Sequence, residues 1–138
     1  MYPMNVFPIR TAQPHLQRPT RPNPTESRDL MLFEQVIDHA PDPVYIADKN
    51  GKFSFVNERS IEITGYSQEE LIGMSHLDLV EPAYRSKVRR FYLRQFLTGE
   101  SLTYLEFPMV TKSGKRIWIG QNVSFQYVYR LPAFVVIA

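Results

Sequence analysis

Residues 45–73 place two strand patterns, a tight turn and two helix starts in one uninterrupted run. Residues 44–47 and 53–56 are rich in β-branched and aromatic side chains, which favour strands. Between them, Asn50-Gly51 can adopt the positive φ angles of a tight hairpin turn. The sequence therefore predicts a β-hairpin at the start of this run.

Two short helices follow the hairpin, each with its own start and stop signals. Asn57 offers a side-chain oxygen to the first free N–H groups of one helix, which Gly65 can end in a left-handed conformation. Ser67 and Glu70 form a capping box at the start of the other, and Gly73 supplies its stop. Both helices are therefore predicted to be short.

Four short segments of this run, taken in order, match the pattern of one family. They are Asp48-Lys-Asn-Gly51, Phe55-Val-Asn57, Thr64-Gly-Tyr66 and Ser67-Gln-Glu-Glu-Leu-Ile-Gly73. Together they resemble the opening of a PAS domain, the sensory module of many bacterial signalling proteins. The resemblance extends from about Arg28 to the C-terminus.

The resemblance implies an α+β PAS fold. Its five-stranded antiparallel sheet carries short helices and one long helix packed on one face, and an N-terminal amphipathic helix precedes it. We expect the PAS domain to occupy residues 26–138 and residues 1–25 to form a disordered tail. The tail holds six of the eleven prolines, with Arg10, Arg18 and Arg21 and no acid before Glu26. An arginine-assisted polyproline ligand or anion-binding arm is the alternative to a plain linker.

The amino-acid composition limits the possible functions further. With 138 residues, 43% hydrophobic and 13% aromatic, the chain can build a single globular core. The absence of cysteine excludes disulfides, thiolate metal sites and cysteinyl–cofactor adducts. A net charge of +2 and the lack of a recognition motif predict no nucleic-acid partner. No apolar run is long enough for a membrane span or signal peptide, so we expect no membrane contact and a cytoplasmic location.

An apolar stripe precedes the hairpin. Leu30, Phe33, Ile37 and Ala40 recur at spacings of three and four on a helix that Pro41 ends. In PAS proteins the equivalent helix lies on the sheet or pairs with its copy in a second subunit. Docking within one chain and dimerisation through Leu30, Phe33 and Ile37, with the outward sheet face around Trp118, both remain open.

The rest of the chain predicts one long helix and three strands. The helix covers residues 83–97, begins near Pro82 and carries Tyr92 and Gln95 on its apolar face. Residues 102–111 and 116–125 form antiparallel strands joined by a turn at Gly114, and a last strand covers residues 133–138. Alternation and the family's register place five side chains inward and Trp118 and Asn122 outward. The inward side chains are Phe107, Met109, Ile119, Gln121 and Val123.

No arrangement of residues predicts catalysis. His15, His39 and His76 show no metal-pair spacing, and there is no Gly-rich phosphate loop. Light-sensing flavin members of the family carry a cysteine where this chain has His76, and polar side chains where it has Met109, Ile119 and Ala138. Haem-binding members place a histidine on the long helix, which here has none. We therefore expect a non-enzymatic protein without covalent flavin or haem.

The predicted ligand pocket consists of inward residues from the long helix, the strands and the segment between helices. They are His76, Tyr92, Gln95, Phe107, Met109, Ile119, Gln121 and Val123. A small, largely apolar ligand oriented by Gln95 or Gln121 is one interpretation, and a filled core with two satisfied glutamines is the other.

The resemblance implies a sensory and dimerisation module of a signal-transduction protein. We expect this chain to be a homodimeric piece of a longer sensor, and the output domain to be a histidine kinase of a two-component system or a diguanylate cyclase. The alternative is an adaptor that binds a protein through its sheet, with a filled core and no ligand.

Overall fold

The computed structural model describes residues 23–128 and 130–138. It forms a five-stranded antiparallel sheet with helices at its inner face, as expected for a PAS fold. The helices are α1 Pro24–Asp38, α2 Glu58–Thr64, α3 Gln68–Leu71 and α4 Arg85–Thr98, with 3₁₀ turns at His76–Asp78 and Pro82–Tyr84. The strands are β1 Val44–Asp48, β2 Phe53–Val56, β3 Leu102–Val110, β4 Arg116–Val128 and β5 Leu131–Ile137.

The sheet order is β2-β1-β5-β4-β3, so the last strand lies at the centre between β1 and β4. Its central position explains why nearly every residue of β5 is apolar, since neighbours cover both of its edges. β3 and β4 pair over nine residues, and Phe107 faces Ile119 in that register. The buried inner face carries the hydrophobic core, which Val88 and Tyr92 of α4 complete.

The predicted helix caps are confirmed. Asn57 accepts a hydrogen bond from the Ser60 N–H, and Gly65 ends α2 with φ 75°. Ser67 and Glu70 make both bonds of the capping box at the start of α3. Gly73 follows the end of α3 with φ 85°, which glycine adopts without steric cost.

The hairpin turn is confirmed in place but differs in geometry from the prediction. Gly51 has φ 76°, whereas Asn50 does not have positive φ. The Asp48 carboxylate accepts from the N–H groups of Asn50 and Lys52, at 2.8 and 3.0 Å. The aspartate therefore supplies turn stabilisation that the prediction had assigned to two positive φ angles.

Several predicted boundaries shift. α1 begins at Pro24, so the last two residues of the predicted tail belong to its first turn, where proline is well tolerated. The long helix opens with the 3₁₀ turn Pro82–Tyr84, and β4 and β5 are longer than predicted. The predictions for residues 1–22 lie outside the described residues. Among the described helices, none combines the length and apolar character needed to cross a membrane.

Candidate functional site

Two cavities share His76 in their lining, and the larger of the two, of about 380 Å³, lies between α4, the inner face of the sheet and the β1–β2 turn. The sheet contributes apolar side chains from β1, β4 and β5, and α4 contributes Tyr92 and Phe96. The turn adds Lys49 to Gly51, and His76 lies in the wall beside it. A volume of this size suits a small organic molecule.

A second, deeper cavity has a volume of about 50 Å³. Its walls include Phe107, Met109, Ile119 and Gln121 from β3 and β4, with His76 again in the lining. That volume can hold a few water molecules but not a drug-sized ligand. His76 therefore lies between two cavities that differ several-fold in volume.

The structure divides the predicted pocket residues between these cavities. His76, Tyr92 and Val123 line the larger cavity, whereas Phe107, Met109, Ile119 and Gln121 line the deeper one with His76. The inward orientation of the predicted strand residues is confirmed, and Trp118 and Asn122 face outward. Gln95 is buried but lines neither of the two cavities.

Gln95 has a complete set of hydrogen bonds within the core. Its Oε1 accepts from the Thr103 hydroxyl at 2.8 Å. Its Nε2 donates to the carbonyl oxygens of Val123 at 3.0 Å and Glu100 at 3.2 Å. The polar atoms of this side chain thus connect α4 to β3 and β4.

Gln121 is also engaged by protein groups. The Tyr92 hydroxyl donates to its Oε1 at 2.9 Å. Burial raises the pKa of Tyr45, and a hydrogen bond with Gln121 offsets part of that rise. Burial likewise raises the pKa of Tyr92, with a smaller contribution from Tyr45. Both phenols therefore stay protonated and act as neutral partners of the amide.

The β1–β2 turn holds His76 in place. Both its backbone N–H and its Nδ1 lie 2.9 Å from the Gly51 carbonyl oxygen. A Cβ atom on Gly51 would lie only 2.6 Å from His76 Nδ1, so the ring requires a glycine there. The segment just before His76 pairs with β2 at Phe53. The Phe53 N–H donates to the Met74 carbonyl oxygen, and the Phe53 carbonyl oxygen accepts from the Gly73 N–H. The turn and this segment together fix the position of the ring.

His76 Nε2 is a buried atom that lacks a hydrogen-bond partner. Because a carbonyl oxygen only accepts, Nδ1 carries the proton, and Nε2 of the neutral ring presents a lone pair. Burial lowers the pKa of His76, while the Gly51 hydrogen bond and the Asp78 charge act in the opposite direction. At neutral pH the ring is therefore a hydrogen-bond acceptor without a donor.

Several cavity residues were not predicted from the sequence, including Tyr45, Ala47, Phe134 and Val136. Tyr45 and Ala47 are two positions apart on β1, so strand alternation would have placed both on one face. Phe134 and Val136 lie in a uniformly apolar strand, where alternation carries no signal. The turn residues reach the cavity only through tertiary packing.

The predicted dimerisation residues lie on the surface of the single chain. Leu30 and Phe33 are 48% and 64% exposed, and Trp118 is 55% exposed. Ile37 is half-buried, and its carbonyl oxygen accepts from the Asn57 side-chain amide at 3.0 Å. The end of α1 is therefore attached to the domain, while Leu30 and Phe33 of its apolar stripe remain uncovered.

Comparison with known proteins finds a matching family model and two curated relatives. A family model described as the PAS fold matches residues 32–125. The oxygen sensor protein DosP of Escherichia coli (strain K12) is 28% identical over 102 residues, which are 74% of this chain and 12% of DosP. The uncharacterized protein y4lL of Sinorhizobium fredii (strain NBRC 101917 / NGR234) is 25% identical over 83 residues, 60% of this chain and 10% of y4lL. The chain therefore spans about a tenth of the length of these curated relatives.

Solved PAS domains have the same fold. A PAS domain of a protein from Colwellia psychrerythraea has a TM-score of 0.71 and 20% identity, covering 80% of this chain and 95% of that one. A PAS domain from a two-component sensor histidine kinase has the same TM-score and coverage at 17% identity. Because the family model matches more than half of its residues, the chain belongs to the PAS fold family.

Proposed function

We propose that this chain is a sensory module that binds a small apolar molecule and has no catalysis of its own. The observation that carries the proposal is the cavity of about 380 Å³ between α4 and the sheet. Its apolar floor and few polar groups match the usual composition of sites for small organic ligands. In this proposal, ligand binding biases an output domain, a histidine kinase or a diguanylate cyclase, in a longer cytoplasmic protein.

The proposal includes no bound flavin or haem. His76 occupies the position at which light-sensing members carry the adduct cysteine, and α4 has no histidine. Met109, Ile119 and Ala138 line the deeper cavity with apolar atoms, which offer no partners to a polar flavin edge. These residues support an apolar ligand over either chromophore.

Homodimerisation through α1 is the second part of the proposal. The helix exposes Leu30 and Phe33 of the predicted stripe together with Met31, Leu32 and Val36. Contiguous apolar surface of this kind marks interaction sites in soluble proteins. Trp118 adds exposed aromatic surface on the sheet, in edge contact with Tyr84. A second copy of the chain would cover both surfaces.

A specific observation also favours the adaptor function. Both predicted polar contacts, Gln95 and Gln121, bond to protein groups, as expected of a filled core. In that case the chain would bind a protein partner through its sheet and no small molecule. The two functions differ in whether the larger cavity takes up a ligand.

Two variants of α4 test ligand binding. Leu93 lines the larger cavity and is 52% exposed, whereas Leu97, four residues later, does not line it and is 72% exposed. Leu93→Trp should fill part of the larger cavity, and Leu97→Trp is the matched control. We expect small apolar compounds to raise the Tm of the wild type and Leu97→Trp, but not of Leu93→Trp.

The purified protein is expected to be colourless, and native mass spectrometry should detect any small molecule that copurifies. A flavin or haem absorbance band would refute the cofactor part of the proposal. An unliganded mass, with no compound raising the Tm of the wild type, would favour the adaptor function instead.

A further inference from the structure

We propose that the outer face of α4 is the docking surface for α1 of a second copy of this chain, so that each copy of a dimer covers the first helix of the other. The proposed contact rests on homodimerisation through α1 and goes beyond it, because it names the surface that covers the apolar stripe. Exposed apolar residues and the charges that flank them on the two helices carry the proposal.

α1 presents an apolar row between two acidic flanks. Leu30 and Phe33 form the exposed part of the row. Helical spacing puts Glu34 and Asp38 on one side of the row and Asp29 on the other. The three acidic residues are exposed, and none of their carboxylates forms an ion pair among the described residues. Water is therefore the only environment that the single chain offers them.

α4 presents the opposite pattern on its outer face. Leu93 and Leu97 are exposed one helical turn apart. Helical spacing puts Arg89 on one side of these leucines and Arg90 and Arg94 on the other. No acidic residue occurs in α4, and the three guanidinium groups have no ion pair within the described part of the chain. The apolar row of α4 thus lies between two basic flanks.

The two helix faces match in apolar surface and are opposite in charge. Because both flanks of each row carry one sign, opposite charges meet whether the two helices run parallel or antiparallel. Arg28, the single basic residue of α1, lies on the side of the helix away from the row. Pairing the helices removes two apolar rows from water, and the charge match favours this partner over others.

A second copy fits these surfaces better than a membrane does. Basic and apolar side chains on one face are typical of helices that bind anionic lipid, so α4 alone is compatible with either partner. Anionic lipid, however, would repel the carboxylates of α1 and leave its apolar row uncovered. Each copy of the chain supplies one acidic and one basic face, so a two-fold dimer contains the contact twice and covers all four rows.

Charge reversal tests the contact, with the dimer dissociation constant of the full chain measured by sedimentation. Arg90→Glu/Arg94→Glu places acids opposite acids and should raise this constant about 100-fold. Glu34→Arg/Asp38→Arg should have the same effect, because it places cations opposite cations. An equimolar mixture of the two double variants should recover the dimer, since opposite charges then meet at both contacts. Contact between two different copies is required for that recovery.

A matched control changes the net charge equally at another place. Lys52→Glu/Lys115→Glu reverses two exposed lysines outside α1 and α4 and should leave the dimer intact. All the substituted residues are exposed, so each variant should keep the Tm of the wild type within a few degrees.

The salt dependence of the wild type gives a second test should a variant fail to fold. The dimer should weaken severalfold as the NaCl concentration rises from about 0.05 M to about 0.5 M, because salt screens the ion pairs between the helices. A dissociation constant that is unchanged or falls with salt would contradict the proposal.

The outcomes separate the role of α4 from homodimerisation itself. A dimer that Phe33→Glu disrupts but both charge-reversed variants retain would overturn the role of α4 and leave dimerisation through α1 intact. A monomeric wild type would overturn both. Two monomeric double variants that stay monomeric when mixed would also refute the contact. If Arg90→Glu/Arg94→Glu remains a dimer but loses binding to vesicles of phosphatidylcholine and phosphatidylserine, the partner of α4 is a membrane and the proposal is wrong.

Discussion

The Thr103 hydroxyl donates a hydrogen bond to Gln95 Oε1 across 2.8 Å, and both side chains are buried. The same glutamine donates to the carbonyl oxygens of Val123 and Glu100. One side chain thus joins α4 to β3, β4 and the loop between α4 and β3. These contacts give Gln95 a structural role, and its side chain lines neither cavity.

Replacing Gln95 with leucine should lower the free energy of unfolding by about 1–3 kcal/mol, because it leaves the buried Thr103 hydroxyl without its acceptor and removes the amide bonds to the carbonyl oxygens of Val123 and Glu100. Urea denaturation measures this change. Thr103→Val should cost less, and the double variant should cost less than the sum, because it removes both partners of one bond. Additive costs would show that the two side chains are not coupled.

Asn57 is a second side chain on which several elements depend. Its Oδ1 accepts from the N–H groups of Val44 and Ser60, and its Nδ2 donates to the carbonyl oxygens of Ile37 and Asp42. The side chain is fully buried. It therefore connects the end of α1, the start of β1 and the cap of α2.

Asn57→Ala should lower the free energy of unfolding by about 3 kcal/mol, since several buried groups lose their partner at once. Asn57→Asp should also destabilise, because a carboxylate cannot donate to Ile37 and Asp42. Asn122→Ala, on the exposed outer face, is the control and should change stability by less than about 0.5 kcal/mol. A mild effect of Asn57→Ala would mean that water replaces these bonds.

The sequence was sufficient for features that depend on local chemistry. The caps at Asn57, Ser67 and Gly65 depend on contacts within a few residues, and each was predicted and is confirmed. Strand alternation together with the family's register likewise predicted the inward Gln121 and the outward Trp118. The cap signals are local, so one sequence contains them in full.

Such patterns did not predict which groups bond to the buried polar side chains. Helical periodicity and the family resemblance predicted that Gln95 faces inward, but not that Thr103 and Val123 would satisfy its hydrogen bonds. The contact between His76 and Gly51 joins residues 25 positions apart through a turn whose shape depends on Asp48. Which polar atom stays unpaired is decided by the whole packing arrangement, and no single segment contains that information.

The proposed dimer predicts a clear effect of one substitution on α1. Phe33→Glu should convert a dimer to a monomer by light scattering, because it places a charge in the apolar stripe, where Phe33 is 64% exposed in the single chain. Ile37 is less suitable, since it is half-buried where α1 meets Asn57. Gln35→Glu adds a charge to an exposed polar position of the same helix and should leave the dimer intact. A wild type that is monomeric at high concentration would contradict the proposed interface.

The protonation of His76 predicts how stability changes with pH. Burial lowers the pKa of His76 in the folded protein, whereas the unfolded chain has a pKa of about 6.5. The unfolded state therefore binds the proton more readily, so stability falls as the pH is lowered through this range. The contribution of the neutral ring is complete above about pH 6.5 and is lost as the pH falls through the folded value.

Urea unfolding from pH 8 to pH 5 tests this linkage against two variants. The wild type should lose stability relative to His76→Phe as the solution is acidified, because only the wild type must protonate a buried ring or unfold. His39→Phe should follow the wild type, since the ring of His39 is 77% exposed. A constant difference between the wild type and His76→Phe across this range would show that His76 has the same proton affinity in both states.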